Sequence, residues 1–322
     1  MRRRELITLL GGAVTSLAFF RPAISWAQVS GVARIGVLVV GSESPLGPFR
    51  ESLRELGYVE GRNIHIEVLS AQGQADRLAE LARQFVRDEK DIIIAVLTPA
   101  IAAAKEATRE IPIVMAPAGD PIGNGFVTSL ARPGGNITGV SGTGTEANVK
   151  TLELIREVVP SARTIGMLVN ARDPFTKTLL ETTLLAARTL GVDLRAHLID
   201  EPAGIEAAFV IMRQEECQAI LIQGSLPVQP TVNLALKYRS PALSQQQVMA
   251  HAGALMSYSS SYGERGRVVA GYVDRIIKGA KPADLPVQQP TRFDLTINLK
   301  TAKALGIDVP PALLARADEV IE

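Results

Sequence analysis

Ala33-Arg34-Ile35-Gly36-Val37-Leu38-Val39 and Ala162-Arg163-Thr164-Ile165-Gly166-Met167-Leu168-Val169 are two renderings of one pattern, a small residue and a base leading into an apolar run of strand length. Each is followed by a polar-proline junction, Ser44-Pro45 in the first copy and Asp173-Pro174 in the second. A helix-length segment closing on Leu-Gly comes next, at Leu56-Gly57 and Leu190-Gly191, and then another strand. The correspondence reaches a third strand, where residues 91–99 parallel 218–227. The offset is far longer than a solenoid period, so the repeat predicts two lobes of one design.

Outward from these stretches, short apolar runs alternate with amphipathic segments, the pattern of parallel sheets covered by helices. The class is α/β, with two doubly wound, Rossmann-like lobes joined by a multi-strand hinge. Strands are predicted at 35–40, 64–69, 92–97, 113–115, 165–169, 194–199 and 219–222, and helices near 46–56, 74–88, 99–109, 146–158, 175–190 and 203–215. The Gly-, Ser- and Thr-rich segment 132–144 lies between the copies and reads as a crossing between lobes. A Pro-rich stretch at 279–290 reads as another, after a helix near 262–277. The first lobe is expected to take 28–143 and about 251–287, the second 144–250 and about 288–322.

The N-terminus reads as a cleaved export signal. Arg2, Arg3 and Arg4 precede an apolar run of about 15 residues, and Ser25-Trp26-Ala27 offers small residues at the positions a peptidase needs. That run is short of the roughly 20 residues of a spanning helix, and Arg21-Pro22 interrupts it. Arg3-Arg4-Glu5-Leu6-Ile7 also has twin-arginine spacing. No cysteine near the cleavage site could carry a lipid, so a soluble periplasmic protein, expected as a monomer, is predicted. Loss of residues 1–27 removes four arginines and one glutamate and turns the formal net charge from +1 to −2. That balance argues against nucleic acid and against an anionic membrane surface as partners.

The single cysteine, Cys217, allows no internal disulfide, and His65, His197 and His251 show no metal-ligand spacing. Neither a metal nor a cofactor is expected. Gly142-Thr-Gly-Thr-Glu-Ala147 matches the relaxed dinucleotide fingerprint before a helix, but it follows Pro133-Gly-Gly and lies between the copies, where glycines serve a linker. No nucleophile elbow, phosphate-binding loop or zinc-protease motif occurs, and Ser257 to Ser261 read as a strand end or loop. Four strand-to-helix junctions place a short polar residue before proline: Ser44, Thr98, Asp120 and Asp173. Helix capping accounts for each one singly. Together they sit at the carboxyl ends of strands, where open α/β sheets bind ligands against helix N-termini.

The chain resembles, over essentially its whole length, the ABC transporter substrate-binding family with the type I periplasmic-binding fold. The matching segments are Leu53-Arg-Glu-Leu-Gly-Tyr58 with Glu60-Gly-Arg-Asn63, Thr98-Pro-Ala100, Ile111-Pro-Ile113, Asp120-Pro-Ile-Gly123, Leu130-Ala-Arg-Pro-Gly-Gly-Asn-Ile-Thr-Gly-Val140, Ile277-Lys-Gly-Ala-Lys-Pro-Ala-Asp-Leu-Pro286, Asn298-Leu-Lys-Thr-Ala-Lys-Ala-Leu-Gly306 and Ala315-Arg-Ala-Asp-Glu-Val320. The resemblance implies a non-enzymatic protein that closes two lobes over a small-molecule solute and presents it to an ABC permease in the inner membrane. It implies a pocket of Ser42, Ser44, Thr98, Pro99, Asp120 and Ser141 from the first lobe, and of residues near Asp173, Ser225 and Gln246 from the second.

Some members of that family bind tryptophan or related amino acids, and their pattern places acids where this chain has Gly142 and Ser225. A buried ammonium needs such acceptors, so an uncharged or carboxylate-bearing solute is expected and an ordinary amino acid is not. An exported nicotinamide-dependent oxidoreductase, with the Gly142–Ala147 loop at the phosphates, and a binding protein feeding a sensor are the alternatives.

Overall fold

The computed structural model describes residues 31–41, 46–142 and 145–322; the expected signal, Ser42 and Ser44 lie outside them. The first lobe alternates β1 (Ala33–Val39), α1 (Gly47–Glu55), β2 (Ile64–Ser70), α2 (Arg77–Arg87), β3 (Ile92–Val96), α3 (Thr98–Ala107), β4 (Ile113–Ala118) and β5 (Ile137–Ser141). Its sheet is parallel, in the order β2-β1-β3-β4-β5. The second lobe continues with α4 (Thr145–Val158), β6 (Thr164–Asn170), α5 (Thr176–Thr189), β7 (Asp193–Ile199), α6 (Ile205–Gln214), β8 (Ala219–Ile222), α7 (Val228–Lys237), β9 (Ala242–Ser244), α8 (Gln247–His251) and β10 (Met256–Ser260). After α9 (Tyr262–Ile277) come β11 (Phe293–Asn298), α10 (Leu299–Leu305), α11 (Pro311–Leu314) and β12 (Glu319–Ile321).

The second sheet runs β12-β11-β10-β9-β8-β6-β7. Its strands β7-β6-β8-β9-β10 repeat the order of the first sheet, so the repeat read from three strands extends to five. Only β11 departs, pairing antiparallel with β10. The glycine shared by both copies has a packing reason. At Gly36 a Cβ would lie 2.8 Å from the ring of Phe85 on α2, and at Gly166 it would collide with Met212 on α6. In each lobe a crossing helix thus rests a bulky side chain on the middle of the central strand, which a larger residue would lift off.

Burial follows the pattern of parallel sheets covered on both faces: β1, β3, β4 and β6 are almost wholly buried. Each lobe has its own cores, one face of the first sheet centring on Phe85, Ile93 and Ile113, and the other on Phe49, Leu53 and Tyr272. The Tyr272 contribution comes from α9, which packs with α1 against the first sheet although it follows β10 of the second. The return to the first lobe therefore begins after Ser260, not near 251, because β10 is hydrogen-bonded to β9 and β11.

The chain crosses between sheets three times: from β5 to α4, from β10 to α9, and after the bridge between Val140 and Gln288. The crossings are tied side by side, with Ser141 N–H donating to the Gln288 carbonyl at 2.9 Å and Ser261 N–H to the Arg292 carbonyl at 3.0 Å. Gly142 belongs to the first of them. Its N–H donates to the Ala118 carbonyl, and a Cβ there would lie 2.9 Å from that oxygen, so close backbone approach explains the glycine. No helix among the described residues is long and apolar enough to cross a membrane.

Candidate functional site

The carboxyl ends of the two sheets face each other across a cleft open to solvent at its mouth, the place where open α/β sheets receive ligands. From the first lobe it is lined by Leu97 and Thr98 after β3 and by Pro117 and Gly119 at the end of β4, with Gly142 at the hinge. The second lobe contributes Asp173 and Phe175 after β6, Gln223 to Ser225 after β8, Gln245 and Gln246 after β9, and Ser260 at the end of β10. Met167, Leu179 and Leu221 give it an apolar floor. One wall is thus hydroxyls and amides, and the other is hydrocarbon.

The polar wall is built before any ligand arrives. Thr98, buried as α3 begins, accepts the Gly119 N–H on its hydroxyl at 3.0 Å and ties the β3 and β4 junctions together. Leu97 just before it has φ of +71°, and Asp120 has φ of +42°; both hold backbone conformations that non-glycine residues adopt rarely, of the kind that clusters at ligand clamps. In the second lobe Asp173 is 6% exposed. It accepts from Phe175 N–H at 2.9 Å and from Gln223 Nε2 at 2.9 Å. Gln223 Oε1 in turn accepts from Asn170 N–H at 2.7 Å and Thr176 Oγ1 at 3.1 Å.

Burial pushes the Asp173 carboxyl above its ordinary range, against the opposing pull of its bonds to Ser225 and the Phe175 backbone. Among the described residues of the cleft wall Asp173 is the one ionisable group. No group of three or more potential metal ligands occurs among the described residues.

Of the sequence-predicted residues, Thr98, Asp173, Ser225 and Gln246 line this cleft, while Pro99 is buried in the first turn of α3 beside it. Asp120 and Ser141 line a neighbouring opening with Phe175 and Thr178. There the acceptors of Asp120 are engaged: Oδ1 takes the Gly123 N–H at 2.9 Å and Oδ2 takes the Thr178 hydroxyl from the other lobe at 3.1 Å. Ser141 is buried and its hydroxyl has no partner among the described residues. Sequence reasoning missed Gln223 and Phe175, which stand just after predicted strands, and Gln245 and Ser260, at the ends of β9 and β10, which are too short or too polar to announce themselves.

The lobes are in contact around the cleft. Arg172 reaches from the second lobe to both oxygens of Asp76 on the first, at 2.7 and 2.8 Å. The ring of Phe175 lies against Gly119, and Pro227 against Gly73. Tyr262 at the start of α9 donates to Gln246 Oε1 at 3.1 Å.

Known proteins share this architecture. Residues 42–321 match the profile of the ABC transporter substrate binding protein family. A tyrosine-binding protein of Clostridioides difficile (strain R20291) is 30% identical over 265 residues, covering 80% of this chain and 75% of the relative. The crystal structure of an ABC domain in complex with L-Trp from Streptococcus pneumonia superposes with a TM-score of 0.81 at 28% identity, over 90% of this chain and 100% of that one. A solute-binding protein from Bacillus halodurans C-125 with bound myo-inositol, 10% identical with a TM-score of 0.55 over 86% and 98% of the two chains, shows the fold alone. With a two-lobed periplasmic-binding fold, an interlobe cleft and a profile match over nearly the whole described chain, the protein belongs to the ABC transporter substrate-binding family, whose members are binders and not enzymes.

Proposed function

We propose that the chain is the periplasmic receptor of an ABC importer for a small carboxylate with an aromatic-sized apolar body. The observation that carries this reading is the two-sided cleft, with Met167, Phe175, Leu179 and Leu221 against one part of a solute and Thr98, Gln223, Ser225, Gln245 and Gln246 against the other. The tyrosine-binding and L-Trp-bound relatives point to ligands of the same skeleton. An amine is not required of the solute. Gly142 and Ser225 are uncharged, and both oxygens of Asp173 already accept from protein donors. The signal read at residues 1–27 would deliver the protein to the periplasm as a soluble monomer, and the closed form would dock on an inner-membrane permease.

A thermal-shift and calorimetric panel tests the reading. It should contain L-tyrosine, L-tryptophan, the amine-free acids 4-hydroxyphenylpropionate and indole-3-propionate, branched-chain amino acids and myo-inositol. A ligand present at 100 times its Kd stabilises the folded state by about 2.7 kcal/mol, so a binder stands out. Aromatic carboxylates, with or without the amine, are expected to raise Tm. A response confined to sugars or to branched-chain amino acids would refute the proposal.

A further inference from the structure

Of the described residues that border both the cleft and the neighbouring opening of Asp120 and Thr178, Gly142 has no side chain and Phe175 has a ring. On the cleft side that ring continues the apolar lining of Met167, Leu179 and Leu221. On the other side it shares the opening with Leu130, Thr182 and Gln289. It rests on Gly119 of the opposite lobe so closely that a Cβ there would collide with it. Phe175 therefore stands as a partition between two spaces, braced against backbone.

The partition is held from behind. Phe175 N–H donates to Asp173 Oδ1 at 2.9 Å, and the hydroxyl of the next residue, buried Thr176, donates to the Asn170 carbonyl at 2.5 Å. Phe175, Thr178 and Thr182 follow one another at spacings of three and four and so share a face of α5. One turn beyond the ring, Thr178 donates to Asp120 Oδ2 of the first lobe at 3.1 Å. Packing on the core of its own lobe accounts for an apolar residue at 175. It does not account for a ring laid across to Gly119, a residue whose missing side chain makes the room.

We infer that Phe175 is the length stop of the binding site: it ends the apolar half of the cleft, limits the solute to a single aromatic ring system, and keeps the side opening out of the site. This rests on the reading of the protein as a receptor for an aromatic carboxylate, and adds the specificity of that receptor. Extra bulk on a solute is rejected where the wall cannot shift, and here the wall is fixed by one lobe and backed by the other. The ring meets Gly119 only when the lobes are shut, so the stop acts at closure. An overlong solute can touch one lobe but cannot be enclosed by both, and contacts with both are what shift the equilibrium. A small residue at 175 would join the side opening to the cleft and give a longer solute somewhere to go.

The test compares L-tyrosine, 4-hydroxyphenylpropionate and L-tryptophan with O-benzyl-L-tyrosine, 4-benzyloxyphenylpropionate and 5-benzyloxy-L-tryptophan by calorimetry. The corresponding methyl ethers control for loss of the hydroxyl proton. The unaltered protein is expected to bind each parent about ten-fold or more tighter than its benzyl ether, the scale on which an apolar pocket rejects added bulk. Phe175→Ala should bring the two within about three-fold of each other or invert the order. Phe175→Leu, which keeps an apolar side chain on the core, should fall between and hold the unliganded Tm within a few degrees. Refilling the side opening by Thr182→Phe in the Phe175→Ala background should restore the rejection. Equal binding of parent and benzyl ether by the unaltered protein overturns the inference and leaves the aromatic-carboxylate reading standing. Discrimination that survives unchanged in both Phe175→Ala and Phe175→Leu overturns it too, as does benzyl-ether binding that persists in the double variant. A loss already complete in the methyl ether and unrelieved by Phe175→Ala shows that the site reads the hydroxyl and not the length. If none of the three parents binds the unaltered protein, both readings fall.

Discussion

Asp173 shows how much a single side chain carries at the cleft. It is buried, it orders the loop after β6 through Phe175 N–H, and it fixes Gln223. Burial raises its pKa above the ordinary 3.8, so the folded protein holds that proton more tightly than the unfolded chain does. The stability this contributes is present at low pH and lost as pH rises from about 4 through the raised folded value. Tm measured against pH for the wild type and Asp173→Asn should therefore diverge as pH rises above about 4, the wild type losing stability relative to the variant; parallel curves would contradict the assignment. Gly119 offers a second residue-scale test. A Cβ there meets the Phe175 ring of the opposite lobe and no nearer atom, so the clash exists only when the lobes are shut. Gly119→Ala should weaken ligand binding by about ten-fold or more, since overpacking costs about 1–3 kcal/mol, and should leave the unliganded Tm nearly unchanged. Equal damage to both would show that the contact is part of the resting fold.

At the scale of elements, most strands and helices of both repeat copies were legible because they are apolar runs, alternating β-branched segments or amphipathic stretches, and those fall within a few residues of where the sequence placed them; α7 was not foreseen. The last strands were not. β9 has three residues and β10 reads Met-Ser-Tyr-Ser-Ser; hydrogen bonding to β8, to each other and to β11 makes them strands, and such non-local pairing leaves no local trace. The same blindness hid the rim. Asp76 stands at the N-cap position of α2 and Arg172 in the loop after β6, and neither carries a motif, yet Arg172 Nη1 donates to both Asp76 oxygens and joins the lobes. Because that pair forms only when the lobes meet, Asp76→Ala or Arg172→Ala should lower the closed fraction and weaken apparent affinity by about two- to five-fold, and added salt should shrink the difference. Titration of wild type and variants at low and high ionic strength checks it, and a salt-independent difference would point elsewhere.

For the whole molecule, three parallel crossings make a hinge whose bending need disturb neither core. The Phe85 core of the first lobe and the Leu168-to-Met249 core of the second each lie within one lobe. A solute that touches both walls shifts the balance toward closure by the contacts it makes only there. The sequence by itself determined the class, the doubling and the family, since periodicity, a repeated strand-helix unit and local junction chemistry are properties of neighbouring residues. Thr98 and Asp173, which line the cleft, were marked by the polar residue that follows an apolar run, whereas Ser225 and Gln246 were named only through the family resemblance. Only the tertiary structure decided that Asp120 clasps Thr178 and that β10 belongs to the second sheet. Each depends on residues distant in sequence being brought together, and the chain states such contacts only once it has folded.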